Sequence, residues 1–317
     1  MSGPPPATAA VRVAVRRCLA DLPPGAPVTA AVSGGADSLA LAAALAFERP
    51  GSCALVVDHG LQEGSDEVAA AAAAQCRSLG LEAHVLATPP GGLRGLAGES
   101  PVGTPTKAPQ PGGGSGPEGD ARALRYALLE AAAGEAVVLL GHTRDDQAET
   151  VLLGLLRGSG ARALSGMAPV RGRYRRPFLD LPRATVRQAC AEAGLVPHED
   201  PHNDDPSFTR VAVRRLLADL DLAPGLARSA ALLREDAEAL DALAGPTDDV
   251  AALAAMPAAL RARSLKAWAE ERCGHALSKA HVDALRALVE QWHGQGPVAL
   301  PGGGQVTRRA GRLAFHS

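Results

Sequence analysis

The chain predicts an α/β protein: a parallel sheet with crossover helices, followed by a helical linker and a small α+β C-terminal domain. Three observations carry this. Short apolar runs alternate with helical stretches from Val28 to Leu156. Those runs end in turns at Ser33-Gly34-Gly35, Asp58-His59-Gly60 and Gly141-His142. From Pro182 onward the spacing is helical until an alternating tail, Val298 to Phe315. Alternating strands and helices read as a parallel sheet, whose ligands sit at the carboxyl ends of its strands.

Val28 to Val32 is a buried strand feeding a Gly turn, and Asp37 to Phe47 is the helix after it. Ala54 to Val57 is a second strand, and Asp66 to Leu79 an Ala-rich helix stopped by Gly80. Glu82 to Leu86 and Ala136 to Leu140 are the third and fourth strands, the latter followed by a helix over Asp145 to Leu156. Helices follow at Arg183 to Ala193, Thr209 to Leu220 and Pro224 to Leu243, and Gly245-Pro246 breaks the run. Pro257 to Arg272 and Ser278 to Trp292 are two more, with Trp268 and Trp292 expected in the core. The tail turns at Pro301-Gly302-Gly303-Gly304 and at Gly311, as a small β element does.

Between the third strand and the next helix, residues 89–117 hold seven Pro and nine Gly among 29 residues. Such a stretch cannot pack a core and should be a mobile insertion. It either lies near the mouth of the site or has no role.

The 317 residues are 46% hydrophobic and 21% charged, enough for a sizeable core. Aromatics are only 3%, so that core must be Ala, Leu and Val. A net charge of −2 argues against coating nucleic acid by bulk electrostatics, though not against a local basic patch. The five cysteines, 18, 53, 76, 190 and 273, include no Cys-x-x-Cys pair. That points away from a disulfide scaffold or structural zinc and toward a reducing cytoplasm. No apolar run reaches the roughly 18 residues of a membrane span, and Met1 to Ala10 has no charged leader region.

The chemistry starts at Ser33-Gly34-Gly35-Ala36-Asp37-Ser38, which joins a strand to a helix. The glycines let backbone N–H groups close on an anion, and the helix N-terminus adds its positive dipole. The Ser33 and Ser38 hydroxyls can donate to phosphate oxygens. Asp37 suits an anion site only if a cation intervenes, and Mg2+ bridging to phosphates meets that need. Asp146 and Glu149 are three residues apart on a helix and share a face, opposite Val151, Leu152 and Leu155. Two carboxylates there can hold an ammonium and accept its proton; the plain alternative is an acidic first turn. Residues 157–187 hold eight Arg against one acid, Asp180, a plausible phosphate-contacting surface.

Ser-Gly-Gly-x-Asp-Ser after the first strand resembles the N-type ATP pyrophosphatases, whose Rossmann-like fold adenylates an oxygen and releases pyrophosphate. Further segments narrow this: Asp58-His59-Gly60-Leu61; Glu118-Gly119-Asp120-Ala121-Arg122 through Arg125-Tyr126; Gly141-His142-Thr143-Arg144-Asp145-Asp146-Gln147-Ala148-Glu149-Thr150; Arg157-Gly158-Ser159-Gly160 with Gly166-Met167; Arg176-Pro177-Phe178-Leu179 with Arg183; and Asp200-Pro201-His202-Asn203-Asp204. In that order they resemble the tRNA(Ile)-lysidine synthetase family, from about Val28 to Arg215, and the Leu300-Pro301-Gly302-Gly303 tail is similar to its C-terminal domain. Where the family has Arg-Asn-x-Ile-Arg, this chain has Arg210-Val211-Ala212-Val213-Arg214, so only the arginines carry over.

The resemblance implies a catalytic domain over 1–222 and a helical linker with a small substrate-binding domain over 223–317. It implies a C–N ligase of the cytoplasm. ATP would adenylate the C2 oxygen of the wobble cytidine in the CAU anticodon of isoleucine tRNA, and the lysine ε-amine would then displace AMP. Residues 33–38 with His59 and His142 would meet ATP, although for His59 a local hydrogen-bonding role weighs equally. Asp37 would hold Mg2+; Asp37, Asp146 and Glu149 would be catalytic; Asp146, Glu149 and Arg210 would take lysine. Arg122, Arg125, Arg173, Arg175, Arg176 and Arg183 would meet tRNA. A homodimer is one assembly open to the chain. A thiolase-type ATP pyrophosphatase is the alternative, weakened because no cysteine sits in a motif.

Overall fold

The computed structural model describes residues 3–58, 60, 64–88, 117–199 and 209–317, apart from the side chains of 117–121 and 209–211. The Pro/Gly insertion up to residue 116, His59 and the segment 200–208 lie outside the described residues, as does the Arg210 side chain. Two compact units divide the chain, Met1–Ala231 and Leu232–Ser317. The division falls inside a helix, Ala223–Leu243, nine residues past the boundary placed at 222/223.

The first unit is built on a six-stranded sheet: β1 (Val28–Val32), β2 (Cys53–Asp58), β3 (Glu82–Ala87), β4 (Val137–Leu140), β5 (Val170–Arg171) and β6 (Tyr174–Arg175), in the order β3-β2-β1-β4-β6-β5. All neighbours are parallel except the β5–β6 edge pair. The strands step outward in one direction from β1 to β3 and in the other from β4. The switch lies between β1 and β4, paired from Val28↔Val137 to Ala31↔Leu140. Crossovers on either side of such a point leave a crevice at the strands' carboxyl ends.

All five residues of β1 are buried. Ala30 and Val32 face one layer, with Ala54 and Val56. Ala31 faces the other, with Leu55, Val57, Val138 and Leu140. This is the alternation that a strand covered on both sides requires. The second layer is closed by α4 (Pro117–Ala133) through Leu124, Leu128 and Leu129.

The first layer holds α2 (Ala36–Glu48), α3 (Ser65–Ser78) and α7 (Arg183–Glu192). It also holds α1 (Pro6–Cys18), which the Pro- and Ala-rich start of the chain concealed. α2 is apolar around most of its girth, and Leu39 to Ala42, Ala44 and Leu45 are all buried. A helix apolar all round needs cover on its outer side. Ala7, Val11 and Val15 of α1, one turn apart, supply it. Each buried valine contributes about 1.5–3 kcal/mol of apolar burial.

α5 (Arg144–Leu156) packs Ala148 and Leu152 against Val213 and Leu217 of α8 (Thr209–Asp219). Leu155 is exposed instead of joining them, because it lies at the helix's last turn, beyond the packing partners. α5 is followed by the short α6 (Ala161–Leu164). Gln147 of α5 pins the next loop with two hydrogen bonds to Met167, Nε2 to its O at 3.0 Å and its N to Oε1 at 2.7 Å. Gly166 beside them has φ +62°, a left-handed conformation that favours glycine.

The second unit contains α10 (Val250–Ala255), α11 (Ala258–Cys273), α12 (Lys279–Glu290) and a three-stranded antiparallel sheet of β7 (Val298–Ala299), β8 (Gln305–Arg309) and β9 (Arg312–His316). α9 is the helix Ala223–Leu243 that crosses the boundary. Trp268 is in this unit's core, with Leu253, Leu265 and Leu285. Trp292 is 40% exposed, with Arg308 5.3 Å from its ring centre. It stands past the end of α12 and so escapes the core that the apolar spacing suggested.

Candidate active site

The loop after β1 sets the floor of a cleft of about 680 Å3 at the switch point. Gly34 has φ +83°, a left-handed conformation that a side chain disfavours. Its carbonyl accepts the His198 N–H at 3.0 Å. Gly35 starts α2, and no side chain caps that end, so the first-turn N–H groups are available to an anion. Ser38 Oγ accepts the Ser33 N–H at 3.1 Å and donates to the Gly35 carbonyl at 2.9 Å. It therefore shapes the loop from within instead of pointing a proton at a ligand. Gly141, at the end of β4, is pressed on the same turn: a Cβ would lie 3.0 Å from the Asp37 carbonyl oxygen.

Asp37 is partly buried, and its Oδ1, shut off from solvent, has no hydrogen-bond partner. Burial, reinforced by Asp146, pushes its carboxyl up to about 7. His142 lines the cleft. Burial pushes its imidazole down to about 3, and Arg176, Arg125 and Arg122 act in the same direction. It is therefore neutral at physiological pH, with an unpartnered Nδ1.

α5 carries the carboxylates. Thr143 and Asp146 form a capping box, in which Asp146 Oδ2 accepts the Thr143 N–H at 2.7 Å and its hydroxyl at 2.8 Å. The acidic first turn, Asp145 and Asp146, is thus real, and Glu149, a turn further on, is buried with its side chain 2% exposed. Burial works to raise the Asp146 carboxyl, but Arg183 and the Thr143 N–H outweigh it and hold it below the ordinary range.

Arg183 is the centre of the arrangement. It lies at the start of α7, where the Asp145 carboxylate accepts its backbone N–H at 2.8 Å. Its guanidinium reaches Asp146 at 2.6 Å, Glu149 at 3.0 Å and Asp37 at 3.8 Å. Burial opposes its charge, yet the three carboxylates raise its pKa above the usual arginine value. Arg214 Nε donates to Glu149 at 2.8 Å. The chain thus brings Asp37, Asp146 and Glu149 to one place, although up to 112 positions separate them in sequence. His198, Glu199 and Arg187 also line the cleft. No motif marked His198 or Glu199, which arrive through the backbone pairing to Gly34.

The arginines expected to meet tRNA separate. Arg125 lines the cleft, and Arg122 stands over Tyr126, 5.3 Å from its ring centre. Arg183 is occupied as described. Arg173 pairs with Glu130 at 3.2 Å. Arg175, 8% exposed, holds Asp21 at 2.9 Å and the Cys18 carbonyl. Arg176, 6% exposed, donates to the Ala168 carbonyl at 2.8 Å. These last three serve the fold in this structure. We expect Arg175→Ala to lower stability by about 2 kcal/mol, as for hydrogen bonds to charged groups, visible as a melting point several degrees lower. An unchanged melting point would return Arg175 to the pool of RNA contacts.

A strand-order switch, a glycine loop on an uncapped helix and a buried carboxylate facing it define a nucleotide-using α/β enzyme of the PP-loop class. The chain matches the family described as PP-loop domain over residues 10–220 and the one described as TilS substrate binding domain over residues 249–314. It is 49% identical to the tRNA(Ile)-lysidine synthase of Leifsonia xyli subsp. xyli (strain CTCB07), covering 93% of this chain and 91% of the relative. It is 48% identical to that of Thermobifida fusca (strain YX), covering 99% and 98%. The chain belongs to the tRNA(Ile)-lysidine synthase family. A structure of U34-tRNA thiolase NcsA from Methanococcus maripaludis with its [4Fe-4S] cluster matches with a TM-score of 0.54 at 19% identity, over 72% of this chain and 80% of that one, a likeness of fold. Among the described residues, no helix is long and apolar enough to cross a membrane.

Proposed function

We propose that this chain is a tRNA(Ile)-lysidine synthase acting in the cytoplasm. The C2 oxygen of the wobble cytidine in a CAU anticodon attacks the α-phosphorus of ATP, and pyrophosphate leaves. The lysine ε-amine then attacks C2, a C–N bond forms, and AMP departs with the former C2 oxygen. The observation that carries this reading is the meeting of the anion loop with Asp146 in one cleft, with Glu149 buried and joined to Asp146 and Asp37 through Arg183. The loop suits the triphosphate, and the carboxylates suit an ammonium.

The residues fit Mg2+: Asp37 Oδ1 is a buried carboxylate oxygen without a partner, beside a loop built for an anion. When bound there, the ion would supply neutralising charge to the phosphates. Asp37 would hold it, and Ser33 with the first-turn N–H groups of α2 would hold the phosphates. Neutral His142 suits a hydrogen bond to the nucleotide. Asp146 and Glu149 would orient lysine. An Asp146 carboxyl held below its ordinary range is a better anion for an ammonium than a base for its proton. Arg210 remains a proposed lysine contact and His59 a proposed nucleotide contact, both outside the described side chains. The thiolase-type reading lacks a sulfur: none of the five cysteines lines the cleft.

The test is incubation of the full chain with ATP, lysine and isoleucine tRNA bearing CAU, with mass analysis of the wobble nucleoside. Lysidine and pyrophosphate in equal amounts are expected. Pyrophosphate with a sulfur-containing nucleoside, or no change at the wobble position, would refute the reading.

A further inference from the structure

The two carboxylates that suit a lysine ammonium are already engaged. Asp146 Oδ2 accepts both Thr143 donors, and its Oδ1 accepts Arg183 at 2.6 Å. Glu149 Oε1 accepts Arg183 at 3.0 Å and Arg214 at 2.8 Å. An ammonium cannot simply join two guanidinium groups there; like charges in a confined site repel, and Asp146 Oδ2 and Glu149 Oε1 each already accept two hydrogen bonds. Lysine must displace a cation, and the two arginines differ in what they can do next. Of the three carboxylates Asp37, Asp146 and Glu149, Arg214 is paired with Glu149, at 2.8 Å. Arg183 spans all three, and its Nε lies 3.8 Å from Asp37 Oδ2 in the anion loop. Its side chain is 22% exposed, on a cleft that the loop and Asp146 share.

We propose that Arg183 is a placeholder cation: it fills the ammonium site until ATP binds, then turns to the phosphates and leaves Asp146 and Glu149 to lysine. This rests on the function proposed above. The exchange has a physical direction. Lysine alone would swap one cation for another, and Arg183, tethered to the site, would be left unpaired in a partly buried cleft, which is costly. A triphosphate changes the balance, because a guanidinium matches phosphate oxygens with two parallel hydrogen bonds. The charge that Arg183 brings to the nucleotide is then the charge it removes from the lysine site. Lysine would bind after ATP, and Arg183 acts as a positioning residue for both.

Equilibrium dialysis of labelled lysine against the full chain, with and without Mg2+ and α,β-methylene-ATP, tests this. For wild type, the analogue should tighten lysine binding at least about tenfold, within the usual range of coupling between sites. Arg183→Gln, checked for folding by its melting curve, should bind lysine without the analogue as tightly as wild type does with it, and respond less than about twofold to it. Arg183→Lys keeps a tethered cation and should restore the dependence. A wild-type affinity indifferent to the analogue overturns the proposal, and this arm needs no variant. So does an Arg183→Gln protein that keeps the full dependence or loses lysine in both states. If lysidine forms while the analogue leaves lysine binding unchanged, only the placeholder fails. If no lysine binds in any state and no lysidine forms, the proposed function fails with it.

Discussion

Asp37→Asn should fold normally and release pyrophosphate about 10²–10³-fold more slowly than wild type, the loss seen when a preorganised charge-stabilising group is removed. Asn copies the shape of the side chain and removes the negative charge from the anion loop. The same substitution should not weaken the fold. In the native state burial, reinforced by Asp146, pushes this carboxyl up to about 7, against 3.8 for an ordinary one. Its ionisation therefore favours unfolding. The handicap is absent below about pH 4, grows as pH rises toward 7 and is complete above it. Without nucleotide, the variant should melt with wild type at pH 4 and above it at pH 8. Full turnover by Asp37→Asn would remove Asp37 from the chemistry, and a lower melting point at pH 8 would show that its pairing with Arg183 outweighs its burial.

The second large effect should come from α5. Asp146→Asn and Glu149→Gln should spare adenylation, which belongs to the loop, and cripple lysine capture. The expected loss is about 2–4 kcal/mol per carboxylate, by analogy with buried charge partners. Rapid-quench kinetics with labelled ATP should show an adenylated tRNA that accumulates and slowly hydrolyses, with ATP consumed and little lysidine made. The structure adds a distinction between the two. Glu149 is nearly inaccessible and faces both Arg183 and Arg214, so Glu149→Gln should also lower the melting point. Asp146→Asn leaves Arg183 its contact with Glu149 and should lower it less. If both variants lose adenylation together with lysine transfer, these carboxylates serve the nucleotide, and the assignment of the lysine site fails.

Much of this was legible in the sequence because its causes are local. The strand at Val28 and the helix at Asp145 follow from apolar period and caps, which depend on residues a few positions apart. The anion loop follows from two glycines between a strand and a helix. The Asp146/Glu149 pair follows from helical spacing, and the likeness to a family then supplied its chemistry.

The rest depended on distant partners. α1 exists because α2 has a second apolar side, which only the packed layer reveals. The run of arginines from 157 to 187 looked like one basic surface, but a guanidinium's role depends on what it touches. Arg173, Arg175 and Arg176 found carboxylates and carbonyls of the fold. Arg183 found Asp37 from the β1 loop and Asp146 and Glu149 from α5. By itself the sequence determined the strands, the helices and the loop that can hold a phosphate. The tertiary structure decided which charges face each other, since opposite charges far apart in the chain interact strongly only after folding has brought them within a few ångströms and shut out the water that would screen them.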